Sequence, residues 1–63
     1  MKATVKTDRR QKTFEVITSN PNDIIKEAVR IGFITKYDYV NIIKCGRRVY
    51  EWKGTALDAF NSH

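Results

Sequence analysis

Sixty-three residues allow one small domain, 1–63, whose core holds about a dozen large side chains and leaves little room for a deep active-site pocket. A hydrophobic share of 41% is ordinary for a folded protein and argues against wholesale disorder. Twelve Lys and Arg against seven Asp and Glu give a formal charge of +5, which favours anionic partners and also serves solubility.

Residues 3–7 alternate Ala3 and Val5 with Thr4 and Lys6, and residues 13–18 set Phe14 and Val16 against Glu15 and Ile17. Alternation with β-branched residues predicts half-buried strands. The run DRRQK between them is wholly polar and of hairpin-loop length, so residues 2–18 read as a β-hairpin. The next segment carries helix-start grammar. Asn20 supplies a side-chain acceptor, Pro21 presets φ, and Asp23 places an anion in the first turn. Ile24, Ile25, Ala28, Val29 and Ile31 then form a stripe of helical period, and Gly32 suits the left-handed closing position. The spacing predicts a helix over 21–31.

Residues 33–46 carry two conflicting signals. Thr35 and Asp38 form a weak capping box, with Ile34 placed to staple against Tyr39, and Gly46 offers a stop. These signals predict a second helix with Tyr39, Val40, Ile42 and Ile43 on its inner face. The same run is rich in strand formers and allows a strand paired to Arg48 and its successors through a Lys-Cys-Gly turn. Because both start and stop signals are present, the helix is the expectation. Residues 47–53 read as a strand, and residues 56–60 as a last helical turn with Leu57 and Phe60 docked on the core. The expected fold is a two-layer α+β mini-domain of order β-β-α-α-β with a terminal helical turn; the alternative order is β-β-α-β-β.

Catalysis has little to work with. The single histidine, His63, is the last residue, and neither Ser19 nor Ser62 has an evident base partner. Carboxylates occur singly, and no Gly-rich phosphate loop is present. The one cysteine, Cys45, makes no internal disulfide and suggests no metal site, and it fits a reducing compartment. The N-terminus lacks a signal-peptide run, and no stretch approaches the ~20 apolar residues of a membrane span. The expectation is a cytoplasmic protein that is not an enzyme, with no cofactor, metal or membrane partner.

Binding is the positive reading. Two helices joined at Gly32 would form a helical hairpin of helix-turn-helix type, with Lys36, Asn41 and Lys44 as polar readers on the second. Glu27 and Asp38 fit that motif poorly, because they stand where it wants buried apolar groups. Basic residues fall in two groups, Arg9, Arg10 and Lys12 at the first hairpin tip, and Arg47 and Arg48 further on. Either group is suited to phosphate contact without base readout. Arg48, Tyr50 and Trp52 share a strand face, which is a stacking platform if exposed and core if covered by helices.

The second reading is a protein interface through Phe33, Tyr37 and Tyr39, with homodimerisation or an acidic protein surface as partner. The run Gly32-Phe33-Ile34-Thr35, followed by Tyr39 and Ile42, resembles helix starts in small accessory proteins of phages and bacteria. The resemblance covers about a dozen residues of capping grammar and implies a source of that kind, with no functional residue attached. The expected function is a regulator or inhibitor acting through nucleic acid, ahead of one acting on a protein.

Overall fold

A computed structural model describes residues 1–61, with β1 (Lys2–Thr7), β2 (Gln11–Glu15), α1 (Pro21–Arg30), β3 (Tyr39–Cys45), β4 (Arg48–Thr55) and α2 (Leu57–Asn61). Ser62 and His63 lie outside the described residues. The strands make one antiparallel sheet in the order β2-β1-β3-β4, so β1 and β3 are central and β2 and β4 are edges. Among the described residues no helix is long and apolar enough to cross a membrane.

The first hairpin pairs Thr4 with Thr13 and Val5 with Lys12, and Thr7 N donates to the Arg10 carbonyl at 2.8 Å to close the turn. The helix that follows is closed at both ends by the groups its sequence supplies. Asn20 Oδ1 accepts from Asn22 N at 2.9 Å, which satisfies one of the orphan donors of the first turn. At the other end Gly32 takes φ 83°, its N–H donates to the Val29 carbonyl, and Phe33 N donates to the Ala28 carbonyl. That pair of bonds is a Schellman closure. Ile24, Ile25 and Ala28 are fully buried on its inner face.

The order β-β-α-α-β is overturned at the next element. Tyr39–Cys45 is a strand, and it pairs with β1 on one side and β4 on the other. The local signals read as helix caps are real hydrogen bonds put to another use. Asp38 Oδ2 accepts from Thr35 N at 2.8 Å, and Asp38 N donates to the Thr35 carbonyl, which closes a turn before the strand. Gly46, read as a helix stop, takes φ 61° with Arg47 at negative φ, as in the type II′ turn of a two-residue hairpin. A helix here would leave one edge of β1 unpaired, whereas the strand satisfies that edge and buries Val40, Ile43 and Cys45.

Two irregularities let β3 keep its apolar residues inward. Asn41 is an extra residue against β1, so Val40 and Ile43 both face the core despite their odd spacing. Opposite Asn41, β4 carries the extra residue, and Lys53 there has φ 52°. Asn41 Nδ2 donates to Asp8 Oδ1 and ties this bulge to the first hairpin turn.

Both helices lie on one face of the sheet. Ala3, Val5, Val40, Ile43 and Cys45 from the strands meet Ile24, Ile25, Ala28 and Ala59 from the helices, with Ile34 and Ala56 from the connections. In the terminal segment Ala56 and Ala59 are the buried residues, while Leu57 and Phe60 are half-buried. Small side chains let α2 sit close to the sheet. Tyr50 and Trp52 pack against this core from the edge strand, and Val49 and Glu51 face outward.

Candidate nucleic-acid interface

The register decides which polar residues share the uncovered face. Because Ala3 and Val5 point to the helices, Lys2, Thr4 and Lys6 point away from them. Their cross-strand neighbours join them. One row runs Thr13, Thr4, Lys44, Val49, and the next runs Gln11, Lys6, Ile42, Glu51. Thr4 Oγ1 and Thr13 Oγ1 lie 2.7 Å apart in a hydrogen bond across the first row. Lys2 stands opposite Glu15. Lys44 is diagonal to both Lys2 and Lys6, at a Cα spacing of roughly 7–8 Å. Three lysines therefore form a triangle over the two central strands.

Charge divides between the layers. The sheet and its two turns hold Lys2, Lys6, Arg9, Arg10, Lys12, Lys44, Arg47, Arg48 and Lys53 against only Asp8, Glu15 and Glu51. The helices and their connections hold Lys26, Arg30 and Lys36 against Asp23, Glu27, Asp38 and Asp58. The net positive charge of the chain thus belongs to the strands. Such segregation produces a directed field that a uniform spread of the same charges would not.

The residues singled out from sequence are dispersed by the fold. Arg9 and Arg10 sit at the end of the sheet where β3 begins, whereas Arg47 and Arg48 sit at the opposite end. The two turns are a strand length apart, on the order of 20 Å. Arg10 is held against the helix side, where its Nη2 donates to the Phe33 carbonyl at 2.7 Å and its guanidinium lies 4.8 Å from the Phe33 ring centre. Lys12 pairs with Val5, and Arg48 with Cys45, so both occupy the helix-side face at opposite edges. Arg48 is held further above its usual range by hydrogen bonding to Tyr50 and by the charge interaction with it, so it remains charged.

The three proposed readers do not form one helix face. Lys36 lies in the connection after α1, with its ammonium 5.0 Å from the Phe60 ring centre. Asn41 is committed to Asp8, and Lys44 is on the open face. A helix-turn-helix is absent from the described residues because its second helix is β3. Tyr50 and Trp52 make no stacking platform on the open face. They lie on the helix side, and Trp52 Nε1 donates to the Thr55 carbonyl at 3.1 Å. Among the aromatics named for a protein interface, Phe33 is half-buried beneath Arg10, while Tyr37 and Tyr39 are 80% and 46% exposed.

Sequence reasoning passed over Lys2 and Lys6 as flanking residues. The alternation with Ala3 and Val5 already placed Lys6 with Thr4 on one face; what it lacked was the fact that this face stays uncovered. A separate open groove of about 620 Å³ lies between β2 and α1, lined by Glu15, Val16, Ile17, Asp23, Glu27 and Arg30 among others. Glu27 there is drawn below the usual carboxylate range, first by its hydrogen bond to Arg30. A general acid requires the opposite shift. Among the described residues no group of His, Cys, Asp and Glu is placed to hold a metal ion. Comparison with protein-family models, with curated proteins and with solved structures finds no match.

Proposed function

We propose that this chain is a non-enzymatic regulator or inhibitor that binds the phosphate backbone of nucleic acid through the open face of its sheet. The observation that carries the reading is the segregation of charge, nine cations against three anions in the sheet layer. Lys2, Lys6 and Lys44 contact phosphate from the centre of the face, with Arg9 and Arg47 at its two ends. Contacts of this kind position a protein without reading sequence. The open face offers Thr, Gln, Ile and Val between its lysines and lacks the row of aromatics that stacks unpaired bases. Duplex is therefore the preferred form. The lone buried thiol of Cys45 suits a cytoplasmic setting.

The test is fluorescence anisotropy with a labelled mixed-sequence duplex at about 50 mM and 200 mM salt, where counterion release makes phosphate binding fall steeply. Replacing Lys6 and Lys44 together by Ala is expected to weaken binding and to lower the salt slope by about 2, one for each lost phosphate contact. Lys26→Ala, on the helical layer, is expected to change neither. No binding at the lower salt with tens of micromolar protein (roughly the weak end of non-specific affinity) would sink the reading. Equal losses from Lys26 and from the sheet lysines would show that the surface is wrong.

A protein target is the second reading, favoured by the exposure of Tyr37 and Tyr39 at the end of the sheet that carries Arg9. Tyr and Arg are the residues that dominate interface energy. A folded Tyr37→Ala variant that keeps duplex binding but loses a protein partner would support it.

A further inference from the structure

The two edges of the sheet are not alike. β2 is five residues long, and pairing it with itself about Thr13 would set Lys12 against Phe14 and Gln11 against Glu15. A lysine on a short edge of this kind discourages strand addition. β4 is eight residues long, and its first half pairs regularly with β3 until the extra residue at Trp52 and Lys53 breaks the register. Residues 48–51 thus form an edge with no break in register, and Val49 upon it is 59% exposed.

Hairpin geometry fixes which backbone groups this edge presents. In a two-residue hairpin the flanking pair, Cys45 and Arg48, exchanges hydrogen bonds, and so does the pair Ile43 and Tyr50 two steps on. The N–H and C=O groups of Val49 and Glu51 therefore point away from β3, toward the open edge.

We infer that this edge pairs with the same edge of a second copy of the chain, antiparallel and with Val49 on the twofold axis. In that register Val49 meets Val49 of the second copy, and the outward backbone groups of both chains face each other. Arg48 stands opposite Tyr50, and Arg47 stands opposite Glu51, an ion pair that the symmetry makes twice. All of these residues precede the bulge. Shifting the axis to Tyr50 would set Val49 against Glu51 and run into Trp52, and shifting it to Glu51 would oppose two like carboxylates. Charge complementarity thus selects both the occupant and the register. The product is one continuous eight-stranded sheet. The inference stands on the edge itself and does not depend on nucleic-acid binding.

Five residues per chain bury less than a standard interface, so the association is weak, with Kd on the order of 0.1 mM. Sedimentation velocity without nucleic acid, over about 10 µM to 1 mM protein, brackets that value. The wild type is expected to move from monomer to dimer across the range. Arg47→Glu and Glu51→Arg are each expected to weaken association about tenfold or more, because each sets like charges opposite one another twice. Mixing the two single variants one to one restores both ion pairs between unlike chains, and is expected to recover wild-type association. Both positions are exposed, and circular dichroism checks that the variants fold. A wild type that stays monomeric to the top of the range would overturn the inference. So would single variants that associate as the wild type does, or a mixture that fails to recover.

Discussion

The hairpin of β1 and β2 and the hairpin of β3 and β4 each carry adjacent arginines at or beside the turn, yet they are held by different means. In the first, the Thr7 hydroxyl accepts from the amides of Arg9 and Arg10, and Arg10 reaches across to Phe33. Side-chain hydrogen bonds shape that turn and tie it to the end of α1. In the second, the turn depends on the positive φ of Gly46, and the strands are held by burial of Val40, Ile43 and Cys45. One turn is a local polar construction and the other is imposed by the core. The first is consequently readable in a short window of sequence, whereas the window of the second reads equally as a helix.

The comparison breaks most decisively at the core. Ile43 is fully buried on a central strand, while Phe14 is half-buried on an edge. Ile43→Ala is expected to cost about 3 kcal/mol, and Phe14→Ala about half as much. For a domain of this size the first loss is most of the total stability. Urea denaturation checks both, and equal losses would mean that the two hairpins lean on the core alike.

The turns differ by a smaller amount. Nothing lies within 4 Å of a Cβ built on Gly46, so Gly46→Ala meets only the backbone cost of a left-handed residue, about 1 kcal/mol. Arg9→Ala, in a turn with no positive φ among its described residues, is expected to stay within about 0.5 kcal/mol. Thermal melting distinguishes them, and a larger loss at Arg9 would reverse the assignment of which turn is conformationally demanding.

The smallest expected effect separates folding from binding within the first turn. Arg10→Ala removes an exposed hydrogen bond and a cation–ring contact, worth about 0.5 kcal/mol together. Its effect on duplex binding is expected to be weaker than that of Lys6→Ala, because its guanidinium is turned to the helix side. Anisotropy on the two folded variants checks the order, and a larger binding loss at Arg10 would move the interface to the hairpin tip.

Legibility followed the range of the interactions. Asn20, Pro21 and Asp23 announced α1, and Gly32 closed it, because caps act within one turn of chain. Thr35 and Asp38 were read correctly as hydrogen-bonding partners, but their bond closes a turn before β3 and opens no helix. A capping interaction spans four residues and carries no information about what the fifth does. The candidate interface was half visible. Alternation grouped Lys6 with Thr4, whereas the meeting of Lys2 and Lys44 with them required the register of β1 on its two neighbours.

The sequence by itself determined that a hairpin opens the chain, though β2 runs Gln11–Glu15 where 13–18 was expected, together with the helix and both its ends, the buried positions of β1 and the sign of the net charge. These rest on contacts between residues close in the chain or on simple counting. Only the tertiary structure decided that residues 39–45 are a strand, that Lys44 joins Lys2 and Lys6 on the open face, and that the positive charge collects on the sheet layer. The physical reason is that a strand's backbone groups find their partners in distant segments. The unpaired edge of β1 selects β3, and that choice sets which residues remain in water.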